Sequence, residues 1–197
     1  PRALREQSLL LWGYNNVLQV SPFTALTVVD AGDVSVVPVD ILATHRAIES
    51  AAESWLGRGA KLVTLGGDHS ITLPLLRRHA ALHGPLAVLH FDAHPDTWDC
   101  EYPGQKYSHG TPFIRALEEG LIDREAYVQL GIRGPTSGPQ DYVDALNLGA
   151  RMMTMDEFRQ RNIAEVMAEI RQRIGSRPLY VTFDIDCVDP AFAPGTG

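Results

Sequence analysis

His90-Phe91-Asp92-Ala93-His94-Pro95-Asp96, which continues the apolar run Leu86-Ala87-Val88-Leu89, is the stretch on which the fold turns. A short apolar run without alternation, ending abruptly in acids and imidazoles, reads as a strand buried on both faces with chemistry at its carboxyl end. The same design occurs on either side of it. Lys61–Leu65 leads into Gly66-Gly67-Asp68-His69-Ser70, and Leu179–Phe183 leads into Asp184-Ile185-Asp186-Cys187-Val188-Asp189-Pro190. Apolar runs at Leu26–Val29, Tyr127–Leu130 and Ala150–Met153 bring the predicted strands to six. Between them, Ile41–Leu56 places Ile41, Ala47, Ile48, Ala51, Ala52 and Trp55 at helical spacing, and Ile71–His83, Phe113–Leu121 and Val166–Ile174 repeat that period. Thr154 with Glu157 three positions on is a capping-box signature for a helix over Asp156–Asn162. Strands alternating with helices predict an α/β domain, a three-layer αβα sandwich with a mainly parallel sheet.

The 197 residues carry 24 acidic and 17 basic side chains, a formal net charge of −7, with 45% hydrophobic and 21% charged residues. This is ordinary globular composition, and the length suits one domain over residues 1–197. The Pro/Gly-rich stretch Gly131–Pro139 reads as a loop after a buried strand, not as a linker. No window approaches the ~18 apolar residues of a membrane span, so no membrane association is expected. The opening Pro1-Arg2-Ala3-Leu4-Arg5-Glu6 has no signal-peptide character, and two cysteines make no disulfide framework, so a cytoplasmic setting is expected. Without a basic run, nucleic acid is not an expected partner, and the acidic balance favours a small cationic ligand.

The carboxyl ends of parallel strands share one edge of a sheet, where such folds bind ligands. Residues 92, 94 and 96 are spaced by two, as are 184 and 186, so an extended backbone would turn each set to one side. With His69, six acids and imidazoles converge. Four gathered carboxylates are costly unless cations neutralise them, and two divalent ions would do so. An oxygen-rich set with imidazole and no thiolate favours Mn²⁺ or a similarly hard ion. Two such ions roughly 3.5–4 Å apart make hydroxide at neutral pH, which points to a hydrolase. Taken singly, Asp68, Asp99 and Asp189 read as caps or turn residues. His90 shares the parity of Asp92 but lies deeper in its run and reads as a hydrogen-bonded core histidine. His45, His79 and His83 read as surface or helix-end positions, Cys187 as packing, and Gly66-Gly67 as close packing beneath His69. Trp98 and Tyr107 either wall a pocket or pack their loop, and Arg133 either pairs with an acid or serves subunit contacts.

These motifs, with Ser108-His109-Gly110-Thr111-Pro112-Phe113 between the second and third, resemble the ureohydrolase superfamily of arginase, agmatinase, guanidinobutyrase and proclavaminate amidinohydrolase. Asp96-Thr97-Trp98-Asp99, Tyr107–Phe113 and Gly131-Ile132-Arg133-Gly134-Pro135 have the agmatinase-type spelling. The resemblance implies an arginase-like fold in which His69, Asp92, Asp96 and Asp184 hold one Mn²⁺ and Asp92, His94, Asp184 and Asp186 hold a second. Asp92 and Asp184 would bridge. It implies His109 as the acid–base group at the mouth of the site, and hydrolysis of a guanidino compound to urea and an amine, with agmatine to putrescine as the leading case. It further implies a homo-oligomer, a trimer or hexamer. Against the family pattern, the chain is expected to lack an N-terminal strand region and a C-terminal part carrying the guanidinium-binding acid.

Overall fold

The computed structural model describes residues 1–196. Its helices are α1 (Arg2–Ser8), α2 (Pro22–Ala25), α3 (Ile41–Leu56), α4 (Thr72–His83), α5 (Pro112–Glu118), α6 (Gln140–Asn147), α7 (Met155–Arg159) and α8 (Ile163–Ile174). Four strands, β1 (Leu86–Phe91), β2 (Ile122–Ile132), β3 (Arg151–Thr154) and β4 (Leu179–Phe183), form one sheet in the order β3-β2-β1-β4, with every pairing parallel.

Alternation along β1 divides the core in two. Leu86 and Val88 face Leu73 and Leu76 of α4, Phe113 and Leu117 of α5, and Tyr127 of β2. Ala87 and Leu89 face the other way, with Val128, Met153 and Val166, Ile170 and Ile174 of α8. Helices therefore pack on both faces of the sheet, the expected three-layer α/β arrangement, though the edge strand β4 leaves Leu179, Val181 and Phe183 about half-exposed on one face. Each fully buried Leu or Phe contributes about 1.5–3 kcal/mol of transfer free energy. Local chemistry sets the helix starts. Asp40 and Asn162 accept backbone N–H groups at the heads of α3 and α8, and the Thr154 side chain accepts from the N–H of Glu157, as the capping box requires.

Four expectations change. Leu26–Val29 and Lys61–Leu65 join no ladder; Leu62 packs against the α3–α4 cluster, while Val63 is 91% exposed. The run at Tyr127–Leu130 is the middle of a longer strand, and α6 was not expected, because Gln140–Asn147 buries only Ala145. The helices after Thr111 and Thr154 end at Glu118 and Arg159, earlier than their apolar patterns suggest. On the outer face, Arg151 of β3 and Arg161 both pair with Glu157 of α7 and Glu169 of α8, fastening these helices to the sheet margin.

Candidate metal centre

At the carboxyl ends of β1 and β4 the ladder runs on by one step: Asp92 N–H donates to Leu130 O and Asp184 N–H to Phe91 O. The two acids are thereby set side by side. Gly131 lies against them with φ +104°, and a Cβ there would come 3.1 Å from Asp92 O, so glycine is what lets β2 approach. The backbone then leaves the extended form. The even spacing of 92, 94 and 96 does not act through one pleated strand as expected: Asp96 has φ +49°, a left-handed conformation uncommon outside glycine. Asp186 sits in a 3₁₀ turn, Ile185–Cys187, capped by Asp184, and His69 opens another turn, His69–Ile71, capped by Asp68. Turns, not strand parity, aim these side chains.

Two groups result. In the first, His69 Nδ1 lies 3.0 Å from Asp92 Oδ2, 2.8 Å from Asp96 Oδ2 and 3.5 Å from Asp184 Oδ2. In the second, His94 Nδ1 lies 2.9 Å from Asp186 Oδ2 and 3.6 Å from Asp92 Oδ1. Asp92, 1% exposed, gives one oxygen to each group. Asp184 reaches only the first: its Oδ1 accepts the N–H of Asp186. All six residues named from the sequence are thus gathered, with Asp184 on the margin of the cluster.

The electrostatics are those of an acid cluster held together by imidazoles. Burial works against charge on His69, yet Asp92 and Asp96 outweigh it and hold the ring up to about 10. Asp186, then Asp92, raise His94 to about 10 as well. Burial pushes Asp96 above the usual carboxylate range, with the Asp92 charge adding to it against the pull of His69. Asp92 is also buried, but His90, His69 and His94 together carry it well below that range. A cation fits this donor set. His69 Nδ1 is buried among three carboxylates with no well-aligned hydrogen bond to any of them, so a cation that displaces the ring proton can be ligated there. The oxygen–imidazole set suits a hard divalent ion.

Support comes from beneath. His69 Nε2 is 2.8 Å from Thr182 Oγ1, His90 Nε2 is 2.6 Å from Asp92 Oδ2, and Gln129 Nε2 donates to Pro95 O at 2.7 Å. Thr182, Tyr127 and Gln129 were not singled out in the sequence. A polar residue one position before the end of an apolar run was the available signal for Thr182 and Gln129, and only His90 stood out by it. Among the described residues Arg133 pairs with no acid; it donates to the carbonyls of Asp186, Cys187 and Val188, clamping the turn that carries Asp186. Burial, with Asp186, Asp92 and Asp184, pushes the Cys187 thiol up to about 11, in keeping with packing. Asp68 and Asp189 accept backbone N–H groups of their own turns, and Asp99 pairs with Arg115. His45 is a correction, since it is buried against Tyr107 and not at the surface.

His109 is half-exposed, and its Nε2 lies 2.9 Å from Glu101 Oε1. Among the described residues it makes no ion pair with the six. Beside its loop is an open depression of about 270 Å³ lined by Trp98, Cys100, Glu101 and Pro135–Ser137, so Trp98 walls a pocket while Tyr107 packs into the core.

Known proteins share this fold. The chain is 41% identical over all 197 residues to "Agmatinase, mitochondrial" of Gallus gallus, covering 58% of that protein, and 41% identical to "Guanidinobutyrase" of Pseudomonas aeruginosa, covering 61%. The solved structure of proclavaminate amidino hydrolase from Streptomyces clavuligerus superposes with a TM-score of 0.91 at 43% identity, over 100% of this chain and 65% of that one. The chain therefore spans about three-fifths of the length of the curated relatives it matches. A family model described as the Arginase family matches residues 1–197, and the chain belongs to that family.

Proposed function

We propose that the protein is a binuclear-manganese hydrolase that converts a guanidino compound and water to urea and an amine, with agmatine as substrate and putrescine as product. The observation that carries this reading is Asp92, whose two oxygens serve two separate acid–imidazole groups. His69, Asp92, Asp96 and Asp184 would hold one ion, and Asp92, His94, Asp184 and Asp186 the other. A bound Mn²⁺ pair supplies a water of lowered pKa, which the resonance-stabilised guanidinium carbon requires at neutral pH. The remaining work falls to the chain. The acidic surroundings favour the approach of a cationic guanidinium, and addition of hydroxide to it leaves a neutral tetrahedral adduct whose amine must be protonated to depart. His109, half-exposed and 2.9 Å through Nε2 from Glu101 Oε1, would carry a proton to the leaving amine.

A second reading, a guanidino acid as substrate, is favoured by the Pseudomonas aeruginosa relatives named guanidinobutyrase and guanidinopropionase, at 41% and 42% identity. The test is urea release by the full-length protein with Mn²⁺ across agmatine, 4-guanidinobutyrate and arginine. Agmatine turned over fastest supports the first reading, 4-guanidinobutyrate the second, and no urea from any of them overturns both in favour of a non-catalytic subunit. A homo-oligomer, trimer or hexamer, goes with the proposal. Among the described residues no helix is long and apolar enough to cross a membrane, and the free thiols of Cys100 and Cys187 agree with a reducing compartment, the cytoplasm or, as in relatives so named, the mitochondrion.

A further inference from the structure

We propose that His90 is a positioning residue for Asp92, locked as the proton donor to Asp92 Oδ2 by a buried relay through Tyr127 and Gln129; this rests on the reading of Asp92 as the shared metal ligand. His90 stands opposite Gln129 of β2 and Thr182 of β4 in the parallel register, on the face of the sheet covered by α5. Its ring is fully buried, with Phe113 at a centroid distance of 4.1 Å. A buried imidazole must place both nitrogens, and the neighbours determine how.

The protons can be counted. Gln129 Nε2 carries two, directed at Pro95 O (2.7 Å) and Tyr127 Oη (2.8 Å). Tyr127 Oη then accepts one hydrogen bond and has its own proton to place, and His90 Nδ1 at 3.4 Å is the acceptor beside it. With Nδ1 accepting, the ring proton resides on Nε2 and points along the 2.6 Å contact to Asp92 Oδ2. Gln129 Nε2, 3.5 Å from the same Nδ1, is already directed at its two nearer acceptors, so this network assigns a proton to Nε2.

The consequence lies in the lone pairs of Asp92. His90 takes one on Oδ2, and the N–H of His94 takes one on Oδ1 at 2.7 Å. With a donor fixing each oxygen, the carboxylate plane cannot rotate, and the remaining lone pairs face the His69 group on one side and the His94 group on the other. The same Gln129 amide pins Pro95 O, and Pro95 separates His94 from Asp96. One polar layer, carried on β1 and β2, thus sets the orientation of the shared acid and the course of the loop bearing two further ligands.

The alternative is that His90 only fills space beside Phe113. Two substitutions separate the readings in the full-length protein. His90→Phe keeps a ring and removes the donor; His90→Gln keeps an N–H donor at about the reach of Nε2. The readouts are Mn²⁺ affinity and stoichiometry, from titration with the free ion counted by electron paramagnetic resonance, alongside the thermal midpoint of the metal-free protein. His90→Phe is expected to weaken Mn²⁺ binding ~10–100-fold, the range for residues that orient metal ligands, and His90→Gln to restore most of it. Wild-type affinity in His90→Phe, or equal loss in both variants, overturns the proposal. Should His90→Phe not fold, Tyr127→Phe decides: it removes only the hydroxyl that sets the tautomer, a several-fold loss of affinity is expected, and unchanged affinity refutes the relay. A wild-type protein that binds no Mn²⁺ would refute the metal-centre reading itself, a result distinct from any of these.

Discussion

Gly134→Ala makes a sharp test of the second acid–imidazole group, because the space available is known atom by atom. A Cβ at residue 134 would come 2.4 Å from His94 Nε2, 2.5 Å from His94 Cδ2 and 3.0 Å from Ala93 O, where ordinary contact begins at 3.4 Å. Gly134 N–H also donates to Ala93 O at 2.7 Å, so the loop cannot simply swing outward without losing that bond. The imidazole is the movable partner and must retreat by about 1 Å, judged from those contact distances. A ring displaced that far does not keep Nδ1 at 2.9 Å from Asp186 Oδ2. Overpacking of this kind costs about 1–3 kcal/mol of stability. Misplacing one ligand should weaken one of two Mn²⁺ ions ~10–100-fold, or about 1.4–2.7 kcal/mol, while the ion at the His69 group stays tight. Calorimetric titration of Mn²⁺ into the metal-free full-length protein would show the two sites pulled apart. Gly138→Ala is the control, since a Cβ there meets nothing within 4 Å. Two ions bound with wild-type affinity by Gly134→Ala would refute the placement of His94 against this loop.

Asp184→Asn should lose Mn²⁺ by tenfold or more, on the order seen when a ligand sphere is disturbed, and Asp189→Asn, whose carboxylate only receives Ala191 N–H, should lose little; elemental analysis after dialysis reads both, and equal loss would refute the ligand assignment. His109→Asn should keep its metal and lose ~10²–10⁴-fold in urea release, with unchanged turnover counting against a proton-transfer role. Burial, then the Arg77 charge, holds His45 below its ordinary 6.5, so the unfolded chain takes up a proton that the folded chain refuses. Stability from this residue is full above pH 6.5 and falls as the pH drops below it, whereas His69 and His94, raised to about 10, lose their contribution only as the pH climbs from 6.5 through 10. Urea midpoints of the metal-free protein between pH 7.5 and 5 should therefore slope less in His45→Phe than in wild type.

The residues gathered in the candidate site were legible because acids clustered at the ends of apolar runs repel one another unless a shared cation neutralises them. Their geometry was not. Spacing by two suggested one extended strand, but Asp96 turns back in a left-handed conformation that no periodicity announces, and the two groups are assembled by capped turns. Lys61–Leu65 and Leu179–Phe183 look alike as apolar runs and are similarly exposed, yet only the second is a strand, since a strand is made by its ladder partner, which composition does not record. Helix α6 escaped notice because its single buried residue, Ala145, leaves no apolar stripe. Gln129 and Tyr127 sit in a run whose neighbours are apolar, and only the pairing register brings them beneath His90.

That Asp92 serves both groups at once would couple two ions bound there thermodynamically. Whatever the first ion does to the orientation and charge of that carboxylate is felt by the second, and linkage requires the effect to be equal in both directions: the factor by which one ion alters the affinity of the other is the factor it experiences in return. The site should therefore fill and empty along a cooperative curve whose sign records the balance between pre-ordering a shared ligand and dividing its charge.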